Sequence, residues 1–187
     1  MKPLNKIILL GDSITAGYME DHVSQALTSR IRQQLSKDIR VQNVGIPGDT
    51  TVGALERLEK HVLKGEPDFV TILFGSNDVL LTENISLERY QKNIETMIQM
   101  IGSQKVLLIT PSFSNQLVQH EERPNHRILA YGNTIRQLAH HYQTQLIDLQ
   151  SAMLDAPNYT DFLQADGFHF NEFGYDLLAN LIIAKLK

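Results

Sequence analysis

The chain has 187 residues, 42% of them apolar, and 17 Lys and Arg stand against 21 Asp and Glu for a formal net charge of −4. That length carries one sizeable core, and the scattered, mildly acidic charge forms no basic stripe for a nucleic-acid partner. With no cysteine, disulfides, thiolate metal sites and a cysteine nucleophile are all excluded.

The opening stretch "MKPLNKIILLGDS" holds a short apolar run at residues 7–10 and no small-residue cleavage site, so it reads as a first strand and not as a signal peptide. A helical pattern covers 23–35, a second strand 41–44, a helix 51–63 and a third strand 69–74. The clearest helix spans 86–101, with Leu87, Tyr90, Ile94, Met97, Ile98 and Ile101 on one stripe, Ser86 placed to cap its start and Gly102 to end it. A fourth strand follows at 106–109. The segment 111–127 is polar and without a period, as a loop would be, and a helical pattern then fills 125–142. A fifth strand at 145–149 precedes an irregular stretch, 151–170. The last helix, 171–186, is expected to bury Phe173, Leu177, Leu178, Leu181 and Ile182. The strands show no clean alternation, which predicts burial on both faces. Strands alternating with helices predict one α/β domain over residues 1–187. Its parallel sheet lies between helical layers, a three-layer α/β/α sandwich of flavodoxin-like order 2-1-3-4-5. No apolar stretch reaches the roughly 20 residues of a membrane helix, so a cytoplasmic protein with no membrane span is expected.

Ligands of open parallel sheets bind beyond the carboxyl ends of the strands, where strand order reverses. Three strand ends here carry Gly beside polar residues: Gly11-Asp12-Ser13, the run from Asn43 through Gly48 to Thr50, and Gly75-Ser76-Asn77-Asp78. In the expected order Ser13, Gly48 and Asn77 converge. A serine hydroxyl needs an adjacent base to become a nucleophile. Of the seven histidines, His169 differs in lying in a loop three residues after Asp166. Asp-x-x-His in a loop can fold the carboxylate onto Nδ1–H and leave Nε2 to face a serine, as in a Ser-His-Asp triad. The N–H groups of Ser13 and Gly48 and the Asn77 amide are candidate donors to a developing oxyanion.

"GDSIT", "NVGIPGDT", "GSND" and "DGFH" resemble, in order, the four blocks of the SGNH hydrolases, also called the GDSL esterase/lipase family. The resemblance spans nearly the whole chain. It implies the flavodoxin-like fold, Ser13 as nucleophile, Gly48 and Asn77 as oxyanion donors, His169 as general base and Asp166 as its partner. Two positions depart from the pattern: Ile14 stands where the family name has Leu, and Phe170 follows the histidine where many members have Pro. Neither removes a reacting group. The expected activity is hydrolysis of a small carboxylic ester through an acyl-enzyme, with short acyl chains favoured by the short loops. Ile46, Pro111, Phe113 and Phe168 are candidates to line the substrate pocket. No metal or other cofactor is implied.

Other readings use the same residues. Ser13 can cap a helix and Asn77 can serve a turn. Asp12, Asp49, Asp78, Asp166 and His169, all expected near one sheet edge, could hold a divalent metal in a phosphoesterase. An acyl-enzyme can also pass its acetyl group to a sugar hydroxyl, and the fold can serve as a binding module without chemistry.

Overall fold

Ile7, Ile8, Leu9 and Leu10 are each 0% exposed, which is why their run shows no polar–apolar alternation: the strand they form is covered on both faces. Each such side chain contributes roughly 1.5–3 kcal/mol by leaving water. The computed structural model describes residues 4–186; Met1, Lys2 and Pro3 of the opening stretch, and Lys187, lie outside them. The main sheet contains β1 (Lys6–Gly11), β2 (Arg40–Asn43), β3 (Phe69–Leu73), β4 (Val106–Ile109) and β5 (Gln145–Ile147). All pairings are parallel and the order is β2-β1-β3-β4-β5, the flavodoxin-like order 2-1-3-4-5. Ile7 lies beside Val41 on one side and Phe69 on the other.

The helices are α1 (Ser13–Ala16), α2 (Ala26–Gln34), α3 (Thr51–His61), α4 (Leu87–Ile101), α5 (Gln116–Gln119), α6 (Asn125–Tyr142), α7 (Leu149–Leu154) and α8 (Glu172–Leu186). Helix α2 packs on α8, while α4 packs on both α3 and α6. Right-handed crossovers put these two groups on opposite faces of the sheet. In α4, Ser86 Oγ accepts the Arg89 N–H at 3.2 Å, and Tyr90, Ile94, Met97, Ile98 and Ile101 are buried. Gly102 ends it at φ 94°.

The structure corrects several sequence boundaries. The edge strand β2 is not buried on both faces: Val41 alone is fully buried, and Val44 falls outside the strand. The helix expected from residue 23 begins at Ala26, because Tyr18–Met19 and His22–Val23 form a two-stranded antiparallel ribbon. Its turn places Glu20 and Asp21 at positive φ (52° and 61°). Leu149 does not extend β5 but starts α7, where Asp148 accepts the Ser151 N–H. The 111–127 loop holds the short α5, and 151–170 holds the rest of α7 and a 3₁₀ turn at Tyr159–Phe162. In α8 the buried stripe is Tyr175, Leu178, Ala179, Ile182 and Ile183, while Phe173 is 67% exposed and Leu177 and Leu181 are only partly buried. That helix is apolar on nearly every side, so its sequence does not single out one buried face.

Candidate active site

The carboxyl end of β1 runs directly into α1. Asp12 caps that single turn by accepting the Ile14 N–H at 3.0 Å, and Ser13 takes the first helical position. Ser13 is 4% exposed. The N–H groups at the start of a helix have no carbonyl four residues back, and that of Ser13 has no hydrogen-bond partner among the described residues.

His169 arrives from the other end of the chain, on the segment leading into α8. There Leu163 and Phe170 form an isolated antiparallel bridge, and the Gln164 N–H donates to His169 O at 2.8 Å. Asp166 organises the turn: its Oδ1 accepts the Phe168 and His169 N–H groups at 3.0 and 3.1 Å, and its Oδ2 lies 2.6 Å from His169 Nδ1. Burial raises the affinity of Asp166 for a proton, but the His169 bond and the two backbone donors outweigh it and hold the carboxyl below its ordinary range. An ionised carboxylate only accepts, so Nδ1 carries the hydrogen and Nε2 presents its lone pair. That lone pair faces Ser13 Oγ at 2.9 Å, across 156 residues of sequence. His169 is 8% exposed, and its imidazole lies between Tyr18 and Phe168, with ring centroids 4.5 and 3.9 Å away.

The loop after β2 reaches the same edge by close backbone contact. A Cβ at Gly45 would stand 2.3 Å from Ala16 N, so only glycine lets this loop lie against α1. Ile46 O accepts the Asp49 N–H at 3.1 Å and Gly48 has φ +77°, the pattern of a turn with Pro47 second and a glycine third. A side chain at Gly48 would enter open space. Its N–H, like that of Ser13, has no partner among the described residues. Asn77, at the end of β3, donates one Nδ2 hydrogen to Asp49 O at 2.9 Å, which ties the second and third strand-end loops together.

The neighbouring carboxylates have separate duties. Asp49 accepts Thr50 N–H at 2.9 Å and pairs with Arg57, whose guanidinium also donates to Val44 O at 2.6 Å and Gly11 O at 3.2 Å. Asp78 serves the start of α3, accepting the Thr51 N–H at 3.0 Å and hydroxyl at 2.5 Å. Among the described residues Asp12 Oδ2 and Asp78 Oδ2 have no hydrogen-bond partner, and both are buried. Burial, foremost, pushes Asp12 up to about 7 and Asp78 to about 6. Among the described residues no three His, Asp or Glu side chains group as a metal site.

Of the four residues expected to line a pocket, Ile46 is 40% exposed and Phe168 is half-buried beside the imidazole. Pro111 and Phe113 are buried, Phe113 against Tyr159. Sequence pattern does not mark Arg57 or Arg123, whose guanidinium groups reach Gly11 O and Ser76 O across 46 and 47 residues as well as nearer partners. The one available signal was their position in segments feeding the sheet's carboxyl edge.

The family model described as the GDSL-like lipase/acylhydrolase family matches residues 9–177. The isoamyl acetate-hydrolyzing esterase 1 homolog of Homo sapiens is 30% identical, with the match covering 97% of this chain and 83% of that protein. The acetylxylan esterase of Geobacillus stearothermophilus is 25% identical over 97% and 93%. Among solved structures, a lipase/acylhydrolase from Enterococcus faecalis superposes with a TM-score of 0.94 at 42% identity, covering 98% of this chain and 95% of its own. The acetyl xylan esterase AlAXEase gives 0.83 at 26% identity, covering 97% and 100%.

Proposed function

This chain belongs to the GDSL-like lipase/acylhydrolase family and is a hydrolase of ester bonds, and on that premise we propose that it cleaves short-chain carboxylic esters with Ser13, His169 and Asp166. The observation that carries the reading is the unbroken line Asp166 Oδ2, His169 Nδ1, His169 Nε2, Ser13 Oγ, with separations of 2.6 and 2.9 Å. Ser13 Oγ attacks the acyl carbon as its proton passes to His169 Nε2. The negative charge gathers on the carbonyl oxygen, which the Ser13 and Gly48 N–H groups and the second Asn77 Nδ2 hydrogen receive. The imidazolium then protonates the departing alcohol, and Asp166 holds the ring and offsets its charge without taking the proton. Water repeats the two steps on the acyl-enzyme and releases the acid.

In this reading Ile46 and Phe168 supply the accessible apolar surface, while Pro111 and Phe113 are buried. Short loops around the site suit small acyl groups, from acetyl to about hexanoyl. The two relatives named above for isoamyl acetate and acetylxylan support acetyl esters among them. A p-nitrophenyl ester series from acetyl to palmitoyl, run beside acetylated xylo-oligosaccharides, tests the proposal. The highest kcat/KM is expected at the short end, with turnover lost in Ser13→Ala and unchanged by EDTA. Ester hydrolysis that survives Ser13→Ala, or that stops with EDTA and returns with a divalent metal, overturns it.

A further inference from the structure

Arg123 lies in the polar segment before α6, yet it is only 6% exposed. A guanidinium withdrawn from water needs its donors placed. Here Nε donates to Ser76 O at 2.9 Å, and Nη1 to Gln119 Oε1 at 3.0 Å and Glu122 Oε2 at 3.1 Å. Nη2 reaches Asn77 Oδ1 at 3.5 Å. The plane of the group is set from the side by Phe168, whose ring centroid is 3.9 Å from Cζ. Four of the five guanidinium hydrogens are thereby directed at protein atoms, so no two-pronged face is left for a substrate carboxylate or phosphate.

We propose that Arg123 is a positioning residue for ester hydrolysis, acting through the side-chain amide of Asn77. An asparagine amide can sit in two orientations half a turn apart. In the observed one, Oδ1 faces the guanidinium, one Nδ2 hydrogen meets Asp49 O, and the other is left for the substrate oxyanion. The flipped amide sets Oδ1 against Asp49 O, acceptor to acceptor, and the NH₂ group against the guanidinium, donor to donor. Asp49 O and Arg123 therefore fix the same choice from two sides. The positive charge behind Oδ1 also polarises the amide, which strengthens the remaining N–H where charge develops. The inference rests on the reading of Asn77 as an oxyanion donor.

The test is a double-mutant cycle of Arg123→Met with Asn77→Ala, measured as kcat and KM on p-nitrophenyl acetate, with a thermal melt of each protein. Arg123→Met alone is expected to lower kcat about 10- to 100-fold, part of the effect of losing one oxyanion donor, with KM within about two-fold. In the Asn77→Ala background the same substitution is expected to lower kcat by less than about three-fold, because the group it positions is gone. Arg123→Lys keeps a charge near Oδ1 without the fork and should recover part of the loss; if the Met variant does not fold, the Lys variant carries the cycle. An equal loss in both backgrounds, or a loss confined to KM, overturns the proposal. Should Asn77→Ala itself leave kcat unchanged while Ser13→Ala abolishes it, the donor role of Asn77 fails, Arg123 loses its route to the reaction, and the nucleophile assignment stands.

Discussion

On one side of Ser13 the contacts run in single file: Oγ to His169 Nε2, then Nδ1 to Asp166 Oδ2, whose side chain is 40% exposed. On the other side Asn77 is held by Asp49 O and Arg123, Asp49 is held by Arg57 and Thr50, and Asp78 is held twice by Thr51. The difference follows from the work each side does. In the proposed mechanism the proton that moves within the file passes only between Ser13 Oγ and His169 Nε2, so one contact joins those two atoms while Asp166 holds the ring. The donors to an oxyanion must not move at all, because their effect depends on being aimed before charge develops. Several bonds to each group supply that fixity.

The largest effects are expected on the single-file side. Ser13→Ala and His169→Ala are each expected to reduce kcat by roughly 10⁴- to 10⁶-fold with the melting temperature nearly unchanged, since neither residue is part of the strand core. Asp166→Asn should lose less, roughly 10- to 100-fold less than those two, because Ser13 and His169 remain and the amide oxygen can still accept the Phe168 and His169 N–H groups. Its remaining loss comes from the amide NH₂ facing Nδ1, which favours the wrong tautomer. A loss from Asp166→Asn equal to that from His169→Ala in steady-state kinetics would mean that its charge, and not its geometry, dominates.

On the meshed side Asn77→Ala is expected to lower kcat by about 10²- to 10³-fold with little change in KM. The mesh itself keeps its other bonds, so the variant should remain folded by circular dichroism.

The smallest effect concerns stability. Asp12 and Asp78 hold their protons up to about pH 7 and 6 in the folded chain, but release them near their ordinary value of 3.8 when unfolded. The folded state then binds more protons than the unfolded one between those limits. Stability that is complete below 3.8 is therefore lost as pH rises through 6 and 7. Asp12→Asn can keep its acceptor for the Ile14 N–H and removes the buried charge. It should be more stable than the parent at pH 8 by roughly 1–3 kcal/mol, and equal or weaker at pH 4. Urea melts at the two pH values read this directly, and a parent protein whose stability rises from pH 5 to 8 contradicts it.

Much of the sheet was legible because its inner strands announce themselves: the four apolar residues of β1 and the run of β3 have no other use than burial. The first and third strand-end loops were legible for a related reason, since Gly11-Asp12-Ser13 and Gly75-Ser76-Asn77-Asp78 interrupt those runs abruptly. The ribbon at Tyr18 and Val23 was not legible, because two paired residues and two positive-φ acids leave no periodic trace. Nor was the face of α8, where apolar residues surround the axis. Arg123 escaped for a different reason. Its role depends on Ser76, Asn77 and Phe168, which only the folded chain brings to it, and local pattern carries no information about such contacts.

In the proposed mechanism Ser13 Oγ forms a bond to the acyl carbon. Treatment with a p-nitrophenyl alkylphosphonate, followed by intact mass and peptide mapping, reports on that oxygen alone. The expected result is one phosphonyl group per chain, on Ser13, formed far more slowly in His169→Ala and absent in Ser13→Ala. Complete loss of esterase activity with the label on another residue, or with no label at all, would contradict it.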